Sequence, residues 1–304
     1  MGTLGTIDST DTVKLVLKRR WLRRTIKITV IMVGLLVIFF YVLLPIGLGV
    51  SVAWTPRKTC CDARPDVGKP YEDVEFSTRD GVKLAGWYVP PENGAVIIVL
   101  HGSHGDRTKV VEHVRMLVKY GYGALMFDLS KDNWVLGWQA EDEVAAAVNY
   151  LQTQPEVEHI GGLGLSLGAE ALLQSAASMD ELEAVVADGA GIRSYREAWL
   201  LPGVEKWFMG AQMAVMTGTV MLLTDDSPPP SLKELVSEIA PRAVLFISTG
   251  SADEAKLNRI YYKAAGEPKE LWELPESGHT KGLKDNPQAY ETKVIAFFNK
   301  ALLG

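Results

Sequence analysis

Five short and almost uninterrupted apolar runs, "AVIIVLH", "GALMFDL", "IGGLGL", "EAVVAD" and "AVLFIST", recur between residues 95 and 249. Helical patterns such as "RTKVVEHVRMLVKY" and "EDEVAAAVNYLQT" separate most of them. A strand that is apolar at every position must be covered on both faces, and a crossover helix between two such strands makes them run parallel. The pattern predicts an α/β fold with a mainly parallel central sheet and helices on both faces. Ahead of it, "YEDVEFSTRDGVKLAGWYVP" alternates apolar and polar residues on either side of Asp80-Gly81, the turn chemistry of an antiparallel hairpin. After it, "ELWELP" and "AYETKVIAFFNKALL" supply a last strand and a last helix.

Upstream of this body, Ile28 to Trp54 runs 27 positions without a charge. As a helix that run reaches about 40 Å, enough to cross a bilayer's hydrocarbon with tilt to spare. Signal-peptide apolar cores span only about 7–15 residues, so residues 28–54 read as an uncleaved transmembrane anchor, which Pro45 is expected to kink or interrupt. Residues 1–27 hold seven Lys/Arg against Asp8 and Asp11, a balance of +5, which leaves −11 on the other 277 residues of a chain whose net charge is −6. The acidic body argues against nucleic acid as a partner. The basic head before the span predicts a cytoplasmic N-terminus and a body outside the cytoplasm. Residues 55–70, polar and proline-bearing, read as a linker, and residues 71–304 as the α/β domain. Cys60 and Cys61 are too few for a disulfide framework and make no metal site alone; they are expected to have no special role in the linker.

About fifty residues between "EAVVAD" and "AVLFIST" break the alternation. Within them Trp207 to Thr224 is a second uncharged stretch, 18 residues long, which meets the minimal length for a membrane span. A span there would put the strands before and after it on opposite sides of the bilayer and leave sheet backbone unpaired. The stretch therefore reads as part of an apolar cap, at about 189–240, over the sheet's C-terminal edge. Trp207, Phe208 and Met209 are expected in the cap's own core, and whether the cap also touches the membrane surface is left open.

Sites in open α/β sheets lie beyond the carboxyl ends of the strands. "GGLGLSLGAE" carries Ser166 from such a strand end into a helix, with Gly164 and Gly168 two residues away on either side. A tightly packed turn explains the glycines; so does a strained nucleophile turn, where side chains at those positions would collide. The second reading aims the Leu167 amide at whatever sits on Ser166, beside a helix N-terminus that favours negative charge. Other strand ends carry suitable partners in the order such a site needs. "VIIVLHGSHG" offers the Ser103 amide as a second oxyanion donor, "FISTGSADE" offers Asp253, and "LPESGHT" offers His279. Asp188, ending "VVAD", is a rival acid, and Glu254 is expected nearer solvent. His101 is expected to hold its turn and Asp128 to brace loops. His104, His113 and His159 lack the carboxylate or cysteine neighbours of a metal site, so neither metal nor cofactor is expected.

On "TRDGVKLAGWYVPP", "VLHGSHGDRT", "GLGLSLGAE", the "GSAD" segment and "ESGHT", residues 71–304 resemble the α/β-hydrolase superfamily. Within it they resemble the esterase, dienelactone-hydrolase and serine-aminopeptidase-like branch, including membrane-anchored ABHD-type proteins. The resemblance implies Ser166 as nucleophile, Asp253 as orienting acid and His279 as general base, with oxyanion donors on Ser103 and Leu167. It departs from the family in the loop "LSKDNWVLGW" after Asp128 and in the cap. The expected function is membrane-anchored serine hydrolysis of an ester, thioester or amide, on a small hydrophobic or acyl substrate. A peptidase would need an acidic pair to grip a free amino terminus, for which Asp225-Asp226 is the candidate. The reading from another class is a membrane-tethered binding module with a relic triad.

Overall fold

The computed structural model describes residues 9–54, 60, 64–103, 105–129, 136–224, 226–250 and 252–304. Its strands fall on the expected segments: β1 Glu72–Ser77, β2 Lys83–Val89, β3 Ala95–Leu100, β4 Gly123–Phe127, β5 His159–Leu165, β6 Ala184–Asp188, β7 Ala243–Thr249 and β8 Lys269–Leu274. They form one eight-stranded sheet in the order β1-β2-β4-β3-β5-β6-β7-β8. The hairpin strand β2 pairs antiparallel with β1 and β4, and every other neighbouring pair is parallel.

In chain order the helices are α1 Ser9–Ile38, α2 Leu44–Ala53, α3 Val111–Val118, α4 Ala140–Gln152, α5 Leu167–Ala176, α6 Tyr195–Ala198, α7 Glu205–Thr224, α8 Leu232–Leu235, α9 Ala252–Ala264, α10 Gly282–Asp285 and α11 Pro287–Phe298. All six residues of β3 are buried, which is what its uninterrupted apolar run requires. Alternate side chains serve opposite faces: Val96, Ile98 and Leu100 pack with α4, α5 and α9, and Ala95, Ile97 and Val99 with α3 and α11. Each such aliphatic side chain contributes roughly 1.5–3 kcal/mol by leaving water.

Leu17–Ala53 is long and apolar enough to cross a membrane. Every side chain from Ile28 to Phe40 is exposed, and from there a stripe one turn apart, Tyr41, Pro45 and Gly49, turns onto α7. A π-helical turn, Phe39–Leu43, joins α1 to α2. There the Leu44 N–H bonds the Phe39 carbonyl, and Pro45 has no N–H to offer the next one. Gln212 of α7 fills the vacancy, its Nε2 donating to the Phe40 carbonyl at 3.0 Å. Further along, a Cβ on Gly49 would stand 2.7 Å from Cβ of Thr219, so glycine is what lets the two helices touch. Small residues at crossings and side-chain hydrogen bonds between helices are how helices associate inside membranes.

α7 is itself long and apolar enough for a span, yet β6 before it and β7 after it lie side by side in parallel register from Ala184↔Ala243 to Asp188↔Ile247. It therefore stays on the body's side. The expectation that Trp207 and Phe208 form cap core does not hold: they are 64% and 50% exposed. Trp207 stands edge-on to Trp199 and Phe208 edge-on to Tyr41 of the π-helical turn. The linker also needs revision at its C-terminal end. Val67 is fully buried against the α3 face, and Cys60 donates its backbone N–H to Asp128 Oδ2 at 3.0 Å. Cys61 lies outside the described residues.

Candidate active site

Ser166 sits where β5 ends and α5 begins, with φ +52° and ψ −116°, a left-handed strain that functional turns tolerate. The flanking glycines are required by contact. A Cβ on Gly164 would lie 2.3 Å from the Gly168 carbonyl, and one on Gly168 would lie 2.6 Å from the Leu100 carbonyl oxygen. The turn is pinned from the neighbouring strand, because the Ser166 N–H donates to the Asp188 carbonyl at 2.7 Å.

His279, in the loop after β8, places Nε2 3.0 Å from Ser166 Oγ. Its Nδ1 stands 2.6 Å from Oε2 of Glu254. A carboxylate on Nδ1 holds the ring proton there, which leaves the Nε2 lone pair to accept from the serine hydroxyl. The bond to Glu254 raises the His279 pKa above its ordinary 6.5, against the opposing pull of partial burial.

The acid on His279 is thus Glu254 and not Asp253. Both belong to the first turn of α9, where successive side chains point about 100° apart. Glu254 turns inward, 4% exposed, and its other oxygen accepts from the Thr249 N–H at 2.5 Å and the Thr249 hydroxyl at 2.9 Å. Asp253 turns to the surface and meets Lys256 at 3.3 Å. The expectation that Glu254 lies nearer solvent is reversed for the same reason. Asp188 is not the acid either: its Oδ2 accepts from the Tyr290 hydroxyl at 2.8 Å, and burial pushes its pKa up to about 7.

The loop expected to hold the second oxyanion donor lies directly over the serine. A Cβ on Gly102 would come within 3.3 Å of Ser166 Cβ, and Ser103 follows it. His101 holds this loop from behind. Its Nε2 accepts from the Leu129 N–H at 3.2 Å, which leaves Nδ1 to donate to the Gly102 carbonyl at 2.8 Å. Asp128 braces the same region by accepting from the Arg107 N–H at 2.8 Å. Leu167 is the first residue of α5, so its amide is one of the helix's unpaired N-terminal donors. His104 and Asp225 lie outside the described residues, and Asp226 accepts from Gln139.

Sequence reasoning also missed a buried network under the cap. Arg193 donates to Gln174 and to the Pro230 carbonyl and faces Glu197 at 3.7 Å. Glu170 accepts from the Gly191 N–H at 2.8 Å, and burial raises its pKa to about 7. The signal was a glutamate and a glutamine placed inside an otherwise apolar helix, "LGAEALLQSA".

No family model matches the chain. The uncharacterized protein Rv2307c of Mycobacterium tuberculosis (strain ATCC 25618 / H37Rv) is 31% identical over 236 residues, 73% of this chain and 75% of the relative. The uncharacterized protein YfhR of Escherichia coli (strain K12) is 24% identical over 247 residues, 76% and 81% of the two chains. Among solved structures, the Pyrococcus furiosus esterase Pf2001 superposes with a TM-score of 0.65 at 22% identity, over 81% of this chain and 97% of the esterase. The dienelactone hydrolase from Anabaena variabilis ATCC 29413 gives 0.57 at 18% identity, over 77% and 98%. At these identities the likeness to the solved structures is one of fold.

Proposed function

Because the chain belongs to the α/β-hydrolase superfamily, with the mycobacterial protein as a relative, we propose that it is a membrane-anchored serine hydrolase that cleaves acyl esters. The observation that carries this is the continuous chain Ser166 Oγ, His279 and Glu254, with contacts of 3.0 and 2.6 Å. His279 takes the hydroxyl proton as Ser166 attacks the carbonyl, and Glu254 stabilises the imidazolium that forms. The Ser103 and Leu167 amides receive the oxyanion; one such donor is typically worth about 2.7–4 kcal/mol in the transition state. His279 then returns the proton to the leaving alcohol, and water repeats the sequence on the acyl-enzyme.

Membrane and acyl substrate enter through α7. A bilayer's hydrocarbon takes about 20 helical residues, and the last charge before the apolar run is Lys27. The bare part of the helix ends at Phe40, so a full crossing draws in the part that α7 covers. On this reading Trp207 and Phe208, beside Tyr41, enter the outer leaflet, and the acyl chain of a membrane-borne ester approaches along the cap. The N-terminal basic residues then face the cytoplasm and the sheet lies outside it.

The test is labelling of the full-length chain in neutral detergent with a fluorophosphonate probe, beside hydrolysis of a medium-chain 4-nitrophenyl ester. The expected result is labelling and turnover that both vanish in Ser166→Ala. Labelling that survives in that variant, or a folded wild type that neither labels nor turns over, sinks the proposal in favour of a binding module.

A further inference from the structure

A cavity of about 900 Å³ opens on the α3–α11 side of the site, away from α7, and its wall includes the immediate neighbours of the reacting groups: Gly102 and Ser103, Leu165 and Thr280. Its lining is unlike the rest of the protein. Five cationic side chains and two carboxylates face it, in a body that carries −11 outside its first 27 residues. Both carboxylates are already engaged, Glu112 by Arg115 at 2.5 Å and Glu291 by Lys119 at 2.6 Å. Lys109, Lys281 and Lys284 form no ion pair among the described residues; Asp106, whose carboxylate feels the charge of Lys109, caps its own helical turn through Thr108.

Two of the three lysines lean on the loops that carry the chemistry. Lys109 Cγ lies 3.3 Å from where a Cβ on Gly105 would sit, in the oxyanion loop, and Lys281 Nζ lies 3.5 Å from the same point on Gly278, one residue before His279. Leu165, Met116 and Leu283 supply apolar parts of its lining, and Leu165 directly precedes Ser166 in the chain. His113 in its wall is 6% exposed, and both ring nitrogens lack a partner. Burial lowers its pKa to about 4, so it adds no positive charge. Gathering like charges around an apolar hollow costs energy by their mutual repulsion, and an anionic occupant removes that cost.

We infer that this cavity binds an oxyanionic group, a phosphate or carboxylate, carried by the ester that Ser166 cleaves. The substrate class is therefore an anionic amphiphile, its acyl chain towards α7 and its charged group among Lys109, Lys281 and Lys284. This rests on the proposed hydrolase reading but is tested apart from it.

Full-length protein in neutral detergent is given two pairs of esters. One pair is 1-decanoylglycerol 3-phosphate and 1-decanoylglycerol, which places the anion on the alcohol side. The other is the 4-nitrophenyl monoesters of glutaric and pentanoic acid, which places it on the acyl side. The expected result is a kcat/KM preference for the anionic member of one pair of about tenfold or more, the scale of a charge-assisted hydrogen bond. The preference falls towards unity in the Lys109→Gln/Lys281→Gln/Lys284→Gln variant. Calorimetric binding of decyl phosphate against decanol repeats the comparison without turnover. Hydrolysis without any anionic preference, or a preference that survives the triple substitution, overturns the inference and leaves the hydrolase reading intact. Lysine-dependent binding of decyl phosphate by a protein that hydrolyses nothing supports the cavity and removes the hydrolase.

Discussion

The two flanks of Ser166 are built from opposite materials. On one side α7 shows Trp207, Phe208 and Leu222 to the outside and lies along the N-terminal apolar helix; on the other, Lys109, Lys281 and Lys284 surround a hollow that opens to solvent. A soluble enzyme for small neutral esters needs neither feature. On the proposed reading, an apolar ledge packed on the N-terminal apolar helix and a basic hollow beside the serine turn match a substrate with one greasy and one charged end. The difference teaches that the cap supplies the apolar flank while loops and helices of the α/β core itself supply the basic one.

The largest expected effect removes the centre that both flanks serve. Glu254→Gln should lower kcat/KM by about 10³–10⁴-fold, the scale seen when a triad acid is lost, whereas Asp253→Asn should stay within about twofold. Steady-state kinetics on both esters decide it, and a larger loss in Asp253→Asn would show that the wrong carboxylate has been assigned.

Next comes the buried pair behind the basic flank, where Tyr290 joins Asp188 to α11, the helix that lends Pro287 and Glu291 to the hollow. Folded Asp188 keeps its proton up to about pH 7, against an ordinary 3.8. The folded state then binds more protons than the unfolded one between those values, so stability falls as pH rises through that window. Asp188→Asn removes this contribution and should gain on the wild type by on the order of 2–4 kcal/mol between pH 4 and pH 7.5. Glu170, shifted the same way, leaves a residual slope. Denaturant unfolding at the two pH values measures it; parallel curves for wild type and variant would contradict it.

The apolar flank is broken at its tightest point. Gly49→Val drives a side chain into Thr219 and should cost about 1–3 kcal/mol as overpacking does, while Gly34→Val, with nothing within 4 Å of its Cβ, should cost nothing measurable. Thermal unfolding in the same detergent compares them. Equal melting points would mean that α2 and α7 do not pack.

The smallest effect is a shift in the pH profile. His279 must be neutral to act as base, and Glu254 raises its pKa, so kcat/KM should rise with pH to a midpoint above 6.5. In Glu254→Gln the residual activity should have its midpoint at lower pH. An unchanged midpoint would mean that the titrating group is not His279.

Most of the fold was legible because buried parallel strands must be apolar throughout, and five such runs can be read directly. Ser166 and His279 were legible because glycines that permit close approach and a histidine after the last strand leave local marks. The acid was not. Asp253 and Glu254 are neighbours with the same charge, and nothing local says which one turns inward. That was decided by α9 beginning at Ala252 and by how it rests on β7. Trp207 and Phe208 misled in a similar way, because apolar composition says that a residue seeks cover but not which side of its helix the fold covers.

By itself, then, the sequence determined what periodicity and local sterics determine: the layers of the sheet, the apolar run at residues 28–54, the strained serine turn and the order of groups along the chain. Only the tertiary structure decided which distant groups meet. Glu254 reaches His279 across 25 residues and Ser166 lies 113 from it, Gln212 finds the carbonyl that Pro45 leaves unpaired 172 residues away, and lysines from the α3 and α10 ends gather around one hollow. Hydrophobic burial is non-directional and can be read from composition and period. Hydrogen bonds and charge pairs depend on distance and angle to within a fraction of an ångström, and the folded chain sets those only when all its elements are in place.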